Sequence, residues 1–286
     1  MGESMPTVTA RGAMPAVKNA VIYAFMLIGA IFVLFPFFWM IIVALKPDGQ
    51  AFKFNLILEN PFWKNFAEVW GNESYPFWKF FMNSLIVSTA GAALTTFVCA
   101  LAGYAFAKKD FFLKETIFWG LLATMMIPGM MYLVPQFAIV TKLNWINTYQ
   151  GMIVPHLANV FGVFLMRQYM ETIPTSLLES AKIDGASEIK IFTKIVLPLS
   201  ITIVTMLFLL SFLFHWSNFL WHLVVNTPES DKLTLPVGLA LYKGQYEVFW
   251  NKLMAASCFS IIPIAALFVL AQRFFIEGLT TGAVKE

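Results

Sequence analysis

The stretch ESAKIDGASEIKIFTKIVLP, Glu179 to Pro198, gathers six charged residues into twenty positions of a 286-residue chain that is 59% hydrophobic and only 12% charged. Its residue types suit docking rather than bond making. Ser176 and Glu179 stand at the spacing of a capping box, in which each side chain satisfies the other's exposed backbone amide, so a first helix is predicted to start near Ser176. Gly185 can take the positive φ that ends a helix and turns the chain sharply. Ser187 can cap a second helix, along which Ile189, Phe192, Ile195 and Val196 recur at three- and four-residue spacing. Pro198 marks a kink or a new helix start. The product is a bracket with a charged face from Glu179, Lys182, Asp184 and Glu188 and an apolar face from Leu177, Leu178, Ile189 and Phe192. Such a bracket can lie flat on lipid or plug into a protein. Its balance of acids and bases weighs against lipid, because lipid-seeking helices carry a strongly basic polar face.

A second group, FHWSNFLWHL, is suited to handling a polar solute. His215, Asn218 and His222 fall at i, i+3 and i+7 and share one face if the helix is continuous, with Trp216 and Trp221 beside them. Amides, imidazoles and indole faces match a hydroxyl-rich, partly apolar ring; the same residues also serve as anchors near a membrane interface. Asn83, His156 and Asn159 are further polar groups, suited to hydrogen bonds between helices. The two cysteines, Cys99 and Cys258, have no partner at metal-ligand spacing and read as small buried groups. No GxxxxGK[ST] loop occurs, so the chain has no Walker site of its own for ATP.

These residues must be positioned by membrane helices. The mean hydropathy is +0.73, and six stretches contain no Asp, Glu, Lys or Arg: 19–45, 80–107, 116–141, 143–166, 195–228 and 253–272. Each supplies the roughly 20 mostly apolar residues that a spanning helix requires. They are long and continuously apolar, unlike the alternating segments of about ten residues found in barrels. The first is longer than an apolar signal core and lacks a clear cleavage site, so it reads as an uncleaved anchor. Six spans put both ends on one side. That side carries 11 Lys and Arg against 8 on the other, which favours cytoplasmic termini in a plasma membrane. The net charge of +3 is too small and dispersed to suggest nucleic acid. On this reading Lys46 to Lys79, rich in Trp and Phe, lies outside, as an interfacial aromatic belt or as a landing surface for an external partner. Asn226 to Lys252 is also external and packs partly against the membrane domain.

The spacing Glu179-Ser180-Ala181, three residues, Gly185, nine residues, Ile195-Val196-Leu197-Pro198 resembles the EAA loop of ABC importer permeases, departing from it only at Ser180 in place of Ala. NSLIVST, LAGYAFAKKDF, INTYQGMIVPHL and QRFFIEGLTTGAVKE are similar to the maltose-type carbohydrate-uptake branch, over roughly Phe80 to Glu286. The first 79 residues match it loosely, through FPFFWMIIVALKP. The chain therefore divides into an anchor with an external aromatic segment, 1–79, and a permease core, 80–286, with a coupling loop at 167–198 and a short tail.

The resemblance implies an all-α type I importer fold of six transmembrane helices in a bacterial or archaeal plasma membrane. It implies that Glu179, Ser180, Ala181, Asp184, Gly185, Ile195, Leu197 and Pro198 form a coupling element seated in a cleft on a cytoplasmic ATPase. It also implies a second homologous permease subunit, two ATPase subunits, an extracytoplasmic solute-binding protein and a sugar substrate. ATP and magnesium would belong to the ATPase, with no cofactor in this chain. The tail from Leu279 to Glu286 could add a second ATPase contact.

An uncharged interior fits a neutral solute better than an ion. His215, Trp216, Asn218, His222 and Asn83 are the candidates for its pathway. An intramembrane enzyme would need carboxylates or a metal constellation within the runs, and these offer three scattered histidines. A secondary transporter would show coupling carboxylates or broken-helix symmetry between halves. The secondary transporter is the closer rival, and an ABC permease for a non-sugar polar solute such as a glycerophosphate is a further alternative.

Overall fold

The structure, a computed structural model, describes residues 13–56, 60–73, 76–241 and 249–283, and its regular elements are all helical. In chain order the α-helices are α1 (Ala13–Ala44), α2 (Lys64–Trp70), α3 (Phe77–Lys108), α4 (Lys114–Thr124), α5 (Leu133–Lys142), α6 (Tyr149–Ile153) and α7 (Val160–Glu171). They continue as α8 (Thr175–Ile183), α9 (Glu188–Ile191), α10 (Leu197–Leu199), α11 (Ile201–Ser217), α12 (Leu220–Val225), α13 (Leu235–Leu241) and α14 (Trp250–Ala283). α1, α3 and α14 are each long and apolar enough to cross a membrane, and three bent pairs of shorter helices complete six spans.

The six apolar runs thus become spans, but three are broken. Span three turns by 94° between Lys114–Thr124 and Gly129–Lys142, where Pro128 and Gly129 interrupt it. Span four turns by 50° between Tyr149–His156 and Val160–Glu171. At span five, Glu188–Leu199 meets Ile201–Ser217 at 82°. A bend that large turns Glu188–Leu199 across the axis of Ile201–Ser217 rather than along it. Broken backbone of this kind is tolerated at membrane depth only where protein or a polar cavity satisfies it.

α3 is the central strut, packed along α7 and α11. Two of its glycines allow the close approach. A Cβ on Gly91 would sit 2.5 Å from Nε2 of His215 on α11, and one on Gly103 would collide with Met166 on α7. Small residues at such crossings replace the hydrophobic drive that lipid does not supply between helices. At one end of α3, Tyr104, Phe106, Phe118, Met166, Leu178, Ile191 and Phe192 form a core under the loop. Towards the other end, Phe77, Phe80, Phe212, Trp216 and Leu235 form a second.

α1 packs against α14, and α2 fastens to the same helix. Asn251 on α14 donates to the Lys46 carbonyl at 3.2 Å, to Asp48 Oδ1 at 2.7 Å and to Asn65 Oδ1 at 3.1 Å, and Asn65 donates to the carbonyls of Ala44 and Lys46. Glu68 on α2 pairs with Lys252 at 2.9 Å and with Lys64 at 3.3 Å. The Lys252 hydrogen bond leads in holding the Glu68 carboxyl below its usual value of 4.5. The aromatic residues of Lys46 to Lys79 divide. Trp70 packs among Phe77, Phe81 and Phe259, whereas Phe52, Phe54 and Trp63 are exposed.

Candidate functional site

The bracket forms where the charged stretch predicts it, with a different start. α8 begins at Thr175 behind Pro174, whose side chain makes no cap, and Ser176 contributes its carbonyl, which accepts from Ser180 Oγ at 2.9 Å. The expected Ser176/Glu179 capping box is therefore absent. Pro174 already fixes the entering backbone, so Glu179 is left in solvent. The end of α8 is as expected. Gly185 has φ +76°, its amide donates to the Lys182 carbonyl at 3.0 Å, and the amide of Ala186 donates to the Ala181 carbonyl at 2.9 Å. This pair of bonds is a Schellman motif, with Ile183 as the last helical residue and Asp184 as the C-cap. Ser187 precedes α9 in extended geometry; its backbone carbonyl, not its hydroxyl, accepts, from Ile191 at 2.9 Å.

The predicted apolar face splits. Leu178 and Phe192 turn inward, 4% exposed each, into the core below the loop. Ile189 is 78% exposed and Ile183, outside the expected set, is 86% exposed. These two isoleucines flank Gly185, so the tip is apolar where a partner could cover it. Glu179, Ser180, Lys182, Asp184 and Lys190 are exposed around it, while Ala181 is half-buried.

Behind the tip, α9 continues through a π-helical turn, Phe192–Val196, into α10. Ile195 and Leu197 are half-buried, Pro198 is exposed, and the 82° bend falls at Ser200, two residues later than the proline. π turns are uncommon and concentrate at functional places in helices.

The loop is tied to α3 and α7 by groups with no local sequence signal. Glu188 accepts from Tyr104 Oη at 3.0 Å and from Lys109 Nζ, and pairs with Lys182 at 3.5 Å. Lys108 Nζ donates to the carbonyls of Glu171 and Ile173 at 3.2 and 2.5 Å. Arg167, buried, bonds Glu115 and Glu171 at 2.8 Å each and lies 3.9 Å above the Phe118 ring.

The expected pathway residues are not brought to one face. α11 ends at Ser217 and Asn218 leaves the helix with ψ 99°, so His215 and His222 stand on separate helices. Asn218 caps the new one, its Oδ1 accepting from the Trp221 amide at 3.2 Å. His222 is buried, with Nδ1 3.0 Å from Thr234 Oγ1. Trp216 stacks on Phe212 at 5.6 Å. Asn83 donates to the carbonyls of Asp231 and Leu233 at 2.9 and 3.0 Å and accepts from Tyr149 Oη at 2.7 Å, pinning 226–235 to α3. Only His215 leads towards a cavity, through His156, whose ring lies 6.0 Å away.

That cavity, about 510 Å3, opens where spans three and four are broken, and Thr124, Tyr132, Gln136, His156 and Asn159 give it polar walls. His156 Nε2 is buried there without a hydrogen-bond partner. Asn159 Oδ1 already accepts from the Gly162 amide at 2.7 Å. Among the described residues no charged side chain lines the cavity. It is a cleft of mixed lining, in which a few hydrogen-bonding groups stand among Met125, Ile127, Val160, Phe161 and Phe214.

Over residues 10–280 the chain matches the family described as binding-protein-dependent transport system inner membrane component. It is similar to the sn-glycerol-3-phosphate transport system permease protein UgpE of Yersinia enterocolitica, 32% identical over 265 residues, covering 90% of this chain and 94% of the relative. It is also similar to the arabinooligosaccharides transport system permease protein AraQ of Bacillus subtilis, 34% identical over 265 residues, covering 91% and 93%. In fold it resembles a chain in the crystal structure of a bacterial ABC transporter involved in the import of the acidic polysaccharide alginate. That match has a TM-score of 0.79 at 20% identity and covers 95% of this chain and 100% of the other.

Proposed function

The chain belongs to the binding-protein-dependent transport system inner membrane components, and we propose that it carries a sugar or oligosaccharide into the cytoplasm as the permease subunit of an ATP-driven importer. In this reading both termini and residues 167–198 face the cytoplasm, and the loop docks on a separate ATPase subunit that binds ATP and magnesium. A second permease subunit completes the pathway, and an extracytoplasmic binding protein delivers the solute to the opposite face. Lys46 to Lys79 and the described part of 226–252 present that face, with Phe52, Phe54 and Trp63 exposed on it.

The observation that carries the reading is the Gly185 tip. Its Schellman turn is preformed, it projects between exposed Ile183 and Ile189, and the helix behind it bends by 82° into span five. A buried apolar anchor with charge at the rim is the arrangement that gives a docking site both affinity and register.

The cargoes named for AraQ and UgpE differ in kind and in charge, a neutral oligosaccharide against a small polyol that carries an anionic phosphate. Among the described residues the cleft between spans three and four is lined by no Lys or Arg, and Arg167 is paired with two carboxylates, so this cleft suits a neutral carbohydrate better than an anion. Tail side chains from residue 273 onward lie outside those described, and the tail contact stays an expectation of the family resemblance.

The test is purification of the tagged chain from its host in mild detergent, with uptake measured after reconstitution. An ATPase bearing a Walker loop and a second permease should accompany it, and uptake of a labelled arabino-oligosaccharide should need ATP and a binding protein. Uptake by the chain alone, driven by an ion gradient, would overturn the reading in favour of a secondary transporter.

A further inference from the structure

We infer that Glu188 is a positioning residue, a latch that joins the second helix of the loop to the end of span two, so that one movement of the loop reaches spans two and five together. The inference rests on the coupling role proposed for the loop. Glu188 is the first residue of α9, directly after the Gly185 turn and Ser187. A side chain placed there by a family pattern would be assigned to the rim of the docking tip. Instead its Oε2 faces back, accepting from Tyr104 Oη and Lys109 Nζ, while Oε1 pairs with Lys182 from the first helix of the bracket. One carboxylate thus joins three elements: α8, α9 and the end of α3.

The contacts around it are built for a fixed geometry on one side and freedom on the other. Tyr104 is buried, its ring 5.3 Å from Phe192, and Lys109 Nζ lies 5.1 Å from the Tyr104 ring centre. The carboxylate itself is half-exposed. Exposed ion pairs stabilise weakly, because solvent screens them and long side chains must be ordered. A latch of this strength holds the resting geometry without opposing a larger driven movement. From Glu188 the chain runs through the π turn to the bend at Ser200, whose buried hydroxyl has no partner, and so into α11. From Tyr104 the same node runs into α3, the strut packed on both α7 and α11.

The experiment uses the whole complex, reconstituted with its ATPase and binding protein, and reads substrate moved per ATP hydrolysed. Glu188→Ala should leave membrane abundance and ATPase co-purification near normal and lower the transport-to-ATP ratio several-fold. The exchange Lys109→Glu with Glu188→Lys should recover much of that ratio, and Lys109→Glu alone should not. Simple loss of folding would lower abundance in the single variants and is scored by that measurement. A wild-type ratio in Glu188→Ala, or an exchange variant that is abundant yet no better than Lys109→Glu, would overturn the latch. Gly185→Val separates the two levels: if it uncouples while Glu188→Ala does not, the latch alone fails; if neither uncouples, the coupling reading fails as well.

Discussion

The imidazole of His215 on α11 lies against Gly91 on α3, so closely that a Cβ at position 91 would come within 2.5 Å of Nε2. Both residues are buried, so the His215 ring must shift to admit a Cβ at position 91. Gly91→Ala should therefore lower the thermal midpoint in detergent, with an overpacking cost of about 1–3 kcal/mol. Adding His215→Ala should return most of the loss. If Gly91→Ala alone melts like the wild type, the close crossing of α3 and α11 is wrong.

Asn83 holds the segment before α13 through two carbonyls and receives the Tyr149 hydroxyl. Asn83→Ala leaves these partners without it, at about 1–3 kcal/mol for each that is buried and not rescued by water, the Leu233 carbonyl above all. Hydrogen exchange should rise across 231–235 and leave the loop at 175–199 unchanged. A uniform rise over the whole chain would instead indicate general destabilisation.

Glu68 predicts the acid behaviour of the opposite face. Its folded pKa is depressed, chiefly by Lys252, so its contribution is present above its usual value of 4.5 and is lost as pH falls through the lower folded value. Protease protection of 60–73 should stay constant from pH 8 to about 5 and fall below that. Loss of protection between pH 7 and 6 would assign the control to another group.

In the cleft, His156→Ala should raise the half-saturating substrate concentration for uptake while ATPase association is kept, because His156 forms part of the cleft wall. Removing one hydrogen bond to an uncharged ligand costs about 0.5–1.5 kcal/mol, a few-fold in affinity. An unchanged half-saturation value would remove the cleft from the pathway.

Much of this architecture is legible in the chain itself, for reasons that differ by feature. Six spans can be located because a charge in lipid is costly, so Lys46, Lys108, Lys142 and Arg167 mark their ends. Gly185 is legible as a turn because few other residues accept φ +76°. The breaks are harder. Pro128-Gly129 and Pro155 signal two of them, yet the runs around them carry no charge and show no change of pattern that would mark a break. At Asn218 neither Gly nor Pro is present, yet the helix stops there, so His215 and His222, expected on one face, fall on separate helices with Asn218 in the link between them. The Glu188 node joins residues 84 and 79 positions apart, and no local periodicity encodes such a contact. Glu179 shows the reverse case, a capping-box spacing overridden by the proline just ahead of the helix.

The most direct test of the account is Gly185→Val in the reconstituted complex, with membrane abundance measured beside substrate-stimulated ATP hydrolysis. Space at the tip is open, so the substitution acts through its backbone, where φ +76° costs a β-branched residue on the order of 1–3 kcal/mol and reshapes the turn between Ile183 and Ile189. The six spans are untouched. The account predicts near-normal abundance and assembly with the second permease, together with lost stimulation or a lost ATPase subunit. Normal stimulated hydrolysis and normal transport in this variant would contradict it and reduce the bracket to a surface helix.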